Sequence, residues 1–307
     1  MPADAQAFAS HREAPFGRLL TAIITPFAAD GTVDLKAAQE LATHLIDQGQ
    51  DGIVVNGTTG EAPTTSDAEK KAIIEAVVEA VGDRAHVVAG VGSNSTARTL
   101  ESSEQAARAG AHGLLVVTPY YNKPPQAGLV KHFTAVADAT ELPVMLYDIP
   151  ARTALAIADD TYKVLADHPR IVASKDATAD TERAAVLIRE TGLAWYSGDD
   201  AVNLPFFSVG AVGTVSVTAH VIGVRMKQMH EAFLAGNINE ATRLHLELMP
   251  VFVGIFRTQG AILTKAALDL LGLPGGSLRL PLIEASAAER QQLLIDLRAG
   301  GVEGLPT

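Results

Sequence analysis

Short runs rich in Val, Ile and Leu return eight times along this chain, and alanine-rich segments of helical period separate them. The runs span residues 19 to 26 (LLTAIITP), 51 to 57 (DGIVVNG), 85 to 92 (AHVVAGVG) and 112 to 119 (HGLLVVTP). Four more follow at 142 to 150 (LPVMLYDIP), 169 to 176 (PRIVASKD), 193 to 200 (LAWYSGDD) and 211 to 219 (AVGTVSVTA). A strand apolar on both faces belongs to a parallel sheet with helices packed over it. The helical pattern occupies 34 to 48, 66 to 82, 96 to 110, 127 to 140, 159 to 167, 180 to 191, 200 to 209 and 220 to 235. Ser66 with Glu69 three residues on predicts a capping box at the start of the second of these. Eight strand and helix units fit a closed (β/α)8 barrel, typically ~250 residues, better than an open doubly wound sheet.

Three further helical stretches, 237 to 256, 260 to 271 and 286 to 299, carry no strand pattern, and the last opens on a second capping box at Ser286 and Glu289. The expected organisation is therefore an N-terminal extension over 1 to 17, a barrel over 18 to 236 and a C-terminal helical region over 237 to 307. The opening MPADAQAFASHREAPFG has neither a basic leader nor an apolar core, so it reads as a loosely ordered extension and not as a secretory signal. No apolar run approaches the ~20 residues that span a bilayer, and a soluble cytoplasmic protein is expected.

Composition narrows the partners. Lys and Arg total 24 against 35 Asp and Glu, a formal net charge of -11, which disfavours nucleic acid and anionic membrane and leaves room for a small anion held by local cations. With 0 Cys, thiolate catalysis, disulfides and cysteine-ligated metal are excluded. The 9 His show no paired spacing, so zinc is not expected. GVGSNS at 90 to 95 lacks the third glycine of a dinucleotide fingerprint. Asp199 and Asp200 follow the seventh run, where a barrel's phosphate site would lie, and they would repel a phosphate.

Barrel chemistry sits at the carboxyl ends of the strands. Those ends read TPF, NGTTGE, GSN, TPYYNKPP, YDIPART, SKDAT, SGDD and SVTAH. Of only 5 Tyr, three fall there: Tyr120, Tyr121 and Tyr147. Thr58, Thr59 and Ser174 add hydroxyls around Lys175, a set suited to proton relay to an amine and not to a hard cation. At an apolar barrel mouth an amine is partly desolvated, its pKa falls from about 10.4, and its neutral form can attack a carbonyl. The plainer alternative for Lys175 is a solvated lysine in a loop. Thr58 and Thr59 also fit a simple turn, Tyr147 a core aromatic, and Arg152 a surface ion pair. Asp148, Asp176, Asp199 and Asp200 fit helix caps or groups orienting the lysine as well as Mg2+ ligands.

Taken in order, GTTGE, TPYYNKP, YDIPART, SKDAT, SGDD and GTVSVTA resemble the dihydrodipicolinate synthase and N-acetylneuraminate lyase superfamily of class I aldolase barrels, over about Leu19 to Leu282. The likeness is nearest to the synthase branch, above all its actinobacterial members. It implies that Lys175 condenses with the keto group of pyruvate and that Tyr147 shuttles protons. It implies that Thr58 and Thr59 hold the pyruvate carboxylate and link Tyr147 to Tyr121, which reaches a neighbouring subunit's site. Arg152 would receive the carboxylate of aspartate semialdehyde, with Gly198 and Val215 lining the lysine pocket. A homotetramer, a dimer of dimers, is implied. No cofactor is, because the lysine supplies the electron sink.

Arg152 and the paired threonines favour the synthase over lyases of N-acetylneuraminate or keto-deoxy sugar acids, which remain the second reading. A silent regulatory barrel would have lost Lys175 or Tyr147. Lysine-inhibited relatives hold their effector with an acidic residue and histidines, and here those places carry Arg98, Asp67 and Lys70, although Asn94 and Tyr120 persist. Weak or absent lysine inhibition is expected.

Overall fold

A computed structural model describes residues 13 to 306. Eight parallel strands close in sequence order: β1 (Leu19–Ala22), β2 (Gly52–Val55), β3 (His86–Gly90), β4 (Gly113–Val117), β5 (Val144–Asp148), β6 (Ile171–Asp176), β7 (Ala194–Ser197) and β8 (Gly213–Ser216), which pairs back to β1. The repeated runs thus form the expected TIM barrel.

The strands are apolar on both faces because each face meets a different core. Ile53, Val55, Val87, Ala89, Leu114, Val116, Val144 and Leu146 pack outward under the helices. Their neighbours Val54, Val88, Leu115, Met145 and Tyr147 join the inner core, alternating as the strand period of two requires. Residues 1 to 12 of the expected N-terminal extension lie outside the described residues. Phe16, within the same expected segment, is fully buried in the inner core and donates its amide to Tyr196 Oη at 3.3 Å. Its ring lies so close to Gly113, at the start of β4, that a Cβ there would stand 2.4 Å from Phe16 Cε1. Phe16 thereby plugs the amino-terminal end of the barrel.

Both capping boxes form, at Ser66–Glu69 for helix Asp67–Val81 and at Ser286–Glu289 for helix Ala287–Ala299. The helix expected over 200 to 209 is divided into a 3-10 turn, Asp200–Val202, and a helix, Asn203–Ser208. Pro205 has no N–H to give to a helix interior, so the helix starts just before it, and Asp200 is left to bond elsewhere. A short helix, Pro150–Thr153, follows β5 where only a strand end was expected. Helices Ile238–Gly254, Gly260–Leu270 and Ala287–Ala299 form the C-terminal helical region. Ala287–Ala299 packs on the other two, which in turn pack on helix Ala219–Leu234, and Ile238–Gly254 also touches the turn at Asp200–Val202. Among the described residues no helix is long and apolar enough to cross a membrane.

Candidate active site

Lys175 and Tyr147 are register partners on adjacent strands, so the barrel's own hydrogen bonding brings them side by side and both face inward. Lys175 is 5% exposed, and its Nζ lies 4.3 Å from the centre of the Tyr147 ring. Burial pulls the Lys175 amine down to about 8, opposed by the Asp200 carboxylate and assisted by the Arg152 cation. Burial likewise pushes the Tyr147 phenol up to about 12, against Arg152 and a hydrogen bond with Thr58. The site therefore holds an amine nearly ready to lose its proton beside a phenol that keeps its own.

Gly198 touches this lysine. A Cβ there would stand 3.1 Å from Lys175 Cε and equally close to the Asp176 carbonyl oxygen, so a side chain at 198 would push on the amine. Val215, on β8, is buried in the inner core with Tyr147. Asp200 is 2% exposed and accepts from the amides of Val217 (3.1 Å) and Thr218 (2.9 Å) and from Thr218 Oγ1 (2.9 Å). It is a fixed negative charge near Lys175 that strand ends alone did not reveal as different from Asp199, which caps the adjoining turn through the Ala201 amide.

A cavity of about 410 Å³ opens beside Tyr147, lined among others by Thr58, Arg152, Tyr120, Lys70 and Arg98. Thr59, 8% exposed, and Lys175 are not among its lining residues. Tyr121 does not join its own chain's cluster: it is 89% exposed and held at a left-handed φ of 74°. Ser174, counted among the hydroxyls near Lys175, faces the other way, because neighbours along a strand point to opposite sides. Its Oγ meets Tyr162 Oη at 2.9 Å under the helices. Asp148 and Asp176 also point outward, toward Arg183 and Trp195 respectively.

Among the described residues no group of three or more His, Cys, Asp or Glu is placed to hold a metal ion. What the cluster offers is a sheltered nucleophilic amine, a proton-carrying phenol and an entrance with cations.

The family model for the dihydrodipicolinate synthetase family matches residues 15 to 299. The chain belongs to the dihydrodipicolinate synthetase family. Two similar relatives of this family are the 4-hydroxy-tetrahydrodipicolinate synthase 2 of Streptomyces coelicolor, 60% identical over 95% of this chain and 97% of the relative, and the 4-hydroxy-tetrahydrodipicolinate synthase of Acidothermus cellulolyticus, 58% identical over 95% of both. Among solved family structures, the dihydrodipicolinate synthase of Cyanidioschyzon merolae with lysine bound superposes with a TM-score of 0.92 at 44% identity, covering 94% of this chain and 99% of its own.

Proposed function

We propose that the chain is a 4-hydroxy-tetrahydrodipicolinate synthase, a lyase that joins pyruvate to L-aspartate 4-semialdehyde through an imine on Lys175. The observation that carries this reading is the buried Lys175 amine 4.3 Å from the Tyr147 ring. Neutral Lys175 Nζ attacks the keto carbon of pyruvate, and the tetrahedral adduct loses its hydroxyl as water with a proton supplied by the Tyr147 phenol. The positive iminium nitrogen draws electrons from the adjoining methyl, whose proton passes to the Tyr147 oxygen, and an enamine results. Its carbon attacks the aldehyde of the second substrate, whose oxygen takes the proton held by Tyr147 as the iminium re-forms. The amino group of that substrate then adds to the imine carbon, giving up a proton to the Tyr147 oxygen, expelling Lys175 as a free amine and closing the six-membered ring.

Thr58 and Thr59 in this scheme hold the pyruvate carboxylate, with Gly198 and Val215 shaping the space around the lysine. Arg152, exposed at the mouth on helix Pro150–Thr153, takes the carboxylate of the semialdehyde as a bidentate partner. Tyr121, which its own chain leaves in solvent, completes the relay in a second copy, and the assembly is a cytoplasmic homotetramer. Arg98 and Lys70 flank Asp67 at 3.5 and 3.9 Å in the cavity and disfavour the ammonium of lysine as an effector there.

Borohydride reduction with pyruvate followed by mass spectrometry tests the reading. A pyruvyl adduct on Lys175, with turnover of aspartate semialdehyde and none of N-acetylneuraminate, is the expected outcome. No adduct would refute it.

A further inference from the structure

The proposed chemistry leaves one deeply buried ion pair unused. Glu61 ends the GTTGE turn after β2, and Lys265 lies on helix Gly260–Leu270; their side chains, each 1% exposed, meet at 2.6 Å. Lys265 Nζ also donates to the Ser277 carbonyl at 2.6 Å and sits 4.5 Å from the Phe27 ring centre. The second Glu61 oxygen accepts the Arg279 amide at 3.1 Å. Burial pulls the Lys265 ammonium below its ordinary value, against the pull of Glu61. Two charges removed from water this completely gain little or nothing over an apolar pair of similar volume, so stability alone does not account for them.

The backbone around Glu61 points to a use. Glu61 is held in the left-handed region at φ 54°, a conformation that costs a non-glycine residue energy unless its surroundings impose it. Its amide donates to the Thr58 carbonyl at 3.2 Å, so its position fixes the turn that carries Thr58 and Thr59. Thr25 Oγ1 holds the same turn from the barrel side, donating to the Gly60 carbonyl at 2.8 Å. Behind the turn, Arg279 donates to the Thr64 carbonyl at 2.8 Å and pairs with Glu69 at 2.5 Å.

We propose that Glu61 and Lys265 are positioning residues: the C-terminal region reaches through Lys265 to clamp the Thr58–Thr59 turn and thereby sets the affinity for the carboxylate of the keto acid. This rests on the reading of that turn as the carboxylate cradle. Neither residue touches substrate. Their effect falls on the concentration of pyruvate needed to occupy the site and not on the reactivity of Lys175 once it is occupied.

The test is borohydride trapping of the Lys175 adduct across a pyruvate titration, with folding of each variant checked by circular dichroism. Lys265→Met is expected to raise half-saturating pyruvate about tenfold while trapping the same amount at saturation. The double variant Glu61→Gln with Lys265→Met severs the same link and is expected to show a rise no larger than the single variants, whereas a return to the parent value overturns the clamp. Glu61→Gln alone, isosteric and still an acceptor for the Arg279 amide, gives the same rise and serves where Lys265→Met does not fold. A folded single variant with unshifted half-saturation overturns the clamp. Absence of any adduct in the parent overturns the Schiff-base reading and the clamp with it.

Discussion

Replacing Lys175 with Met is expected to abolish turnover and, at the same time, to make the protein more stable near neutral pH. An ordinary lysine loses its proton near 10.5, whereas burial brings Lys175 down to about 8. At about 1.4 kcal/mol per pH unit, keeping this amine in the barrel costs about 3 kcal/mol wherever both the folded and unfolded chains hold it protonated, that is, below pH 8. The sign follows from proton counting. Between pH 8 and 10.5 the unfolded chain binds a proton that the folded chain has released, so the parent gains stability as pH rises through that window. Methionine has nearly the same volume and no charge, so it avoids this cost at every pH. Urea denaturation at pH 7 should show the variant ahead by up to about 3 kcal/mol, and at pH 10 the lead should shrink to about 1 kcal/mol or less. A variant no more stable than the parent at pH 7, or a lead that does not close with pH, would refute the argument that the amine is desolvated in the fold.

Tyr147→Phe should lower kcat roughly 10²- to 10⁴-fold by removing the proton carrier, while long incubation with pyruvate and borohydride still labels Lys175; mass spectrometry checks both. Arg152→Ala should raise KM for aspartate semialdehyde roughly 10- to 100-fold, the loss of a charge-assisted contact, and leave half-saturating pyruvate nearly unchanged in steady-state assays. The same change removes a cation that lowers the Lys175 amine, so the acidic limb of the pH–rate profile should move to higher pH. Sub-millimolar lysine should leave the rate unchanged, with inhibition in that range as the opposing result.

What the sequence made legible was whatever depends on neighbours along the chain. The strand period shows which faces are apolar, the capping boxes mark helix starts, and the strand ends bring Lys175 and Tyr147 to the same rim. Ser174 was misplaced for a related reason: being next to Lys175 along a strand means pointing to the opposite face. The pairing of Glu61 with Lys265 spans 204 residues and exists only after the barrel closes and the C-terminal helices dock. No local pattern encodes it. Asp200 looks like Asp199 until the amides of Val217 and Thr218 claim its side chain. Phe16 sits in what the chain presents as a leading extension, and the ring's fit against Gly113 with the amide's bond to Tyr196 shows that it belongs to the barrel.

Phe16 stoppers the amino-terminal end of the barrel, so among the described residues the way in to Lys175 lies at the carboxyl ends of the strands. On the proposed reading the keto acid reaches the buried Lys175 amine before the aldehyde settles at the exposed Arg152, so excess aldehyde would slow turnover by obstructing its partner's entry.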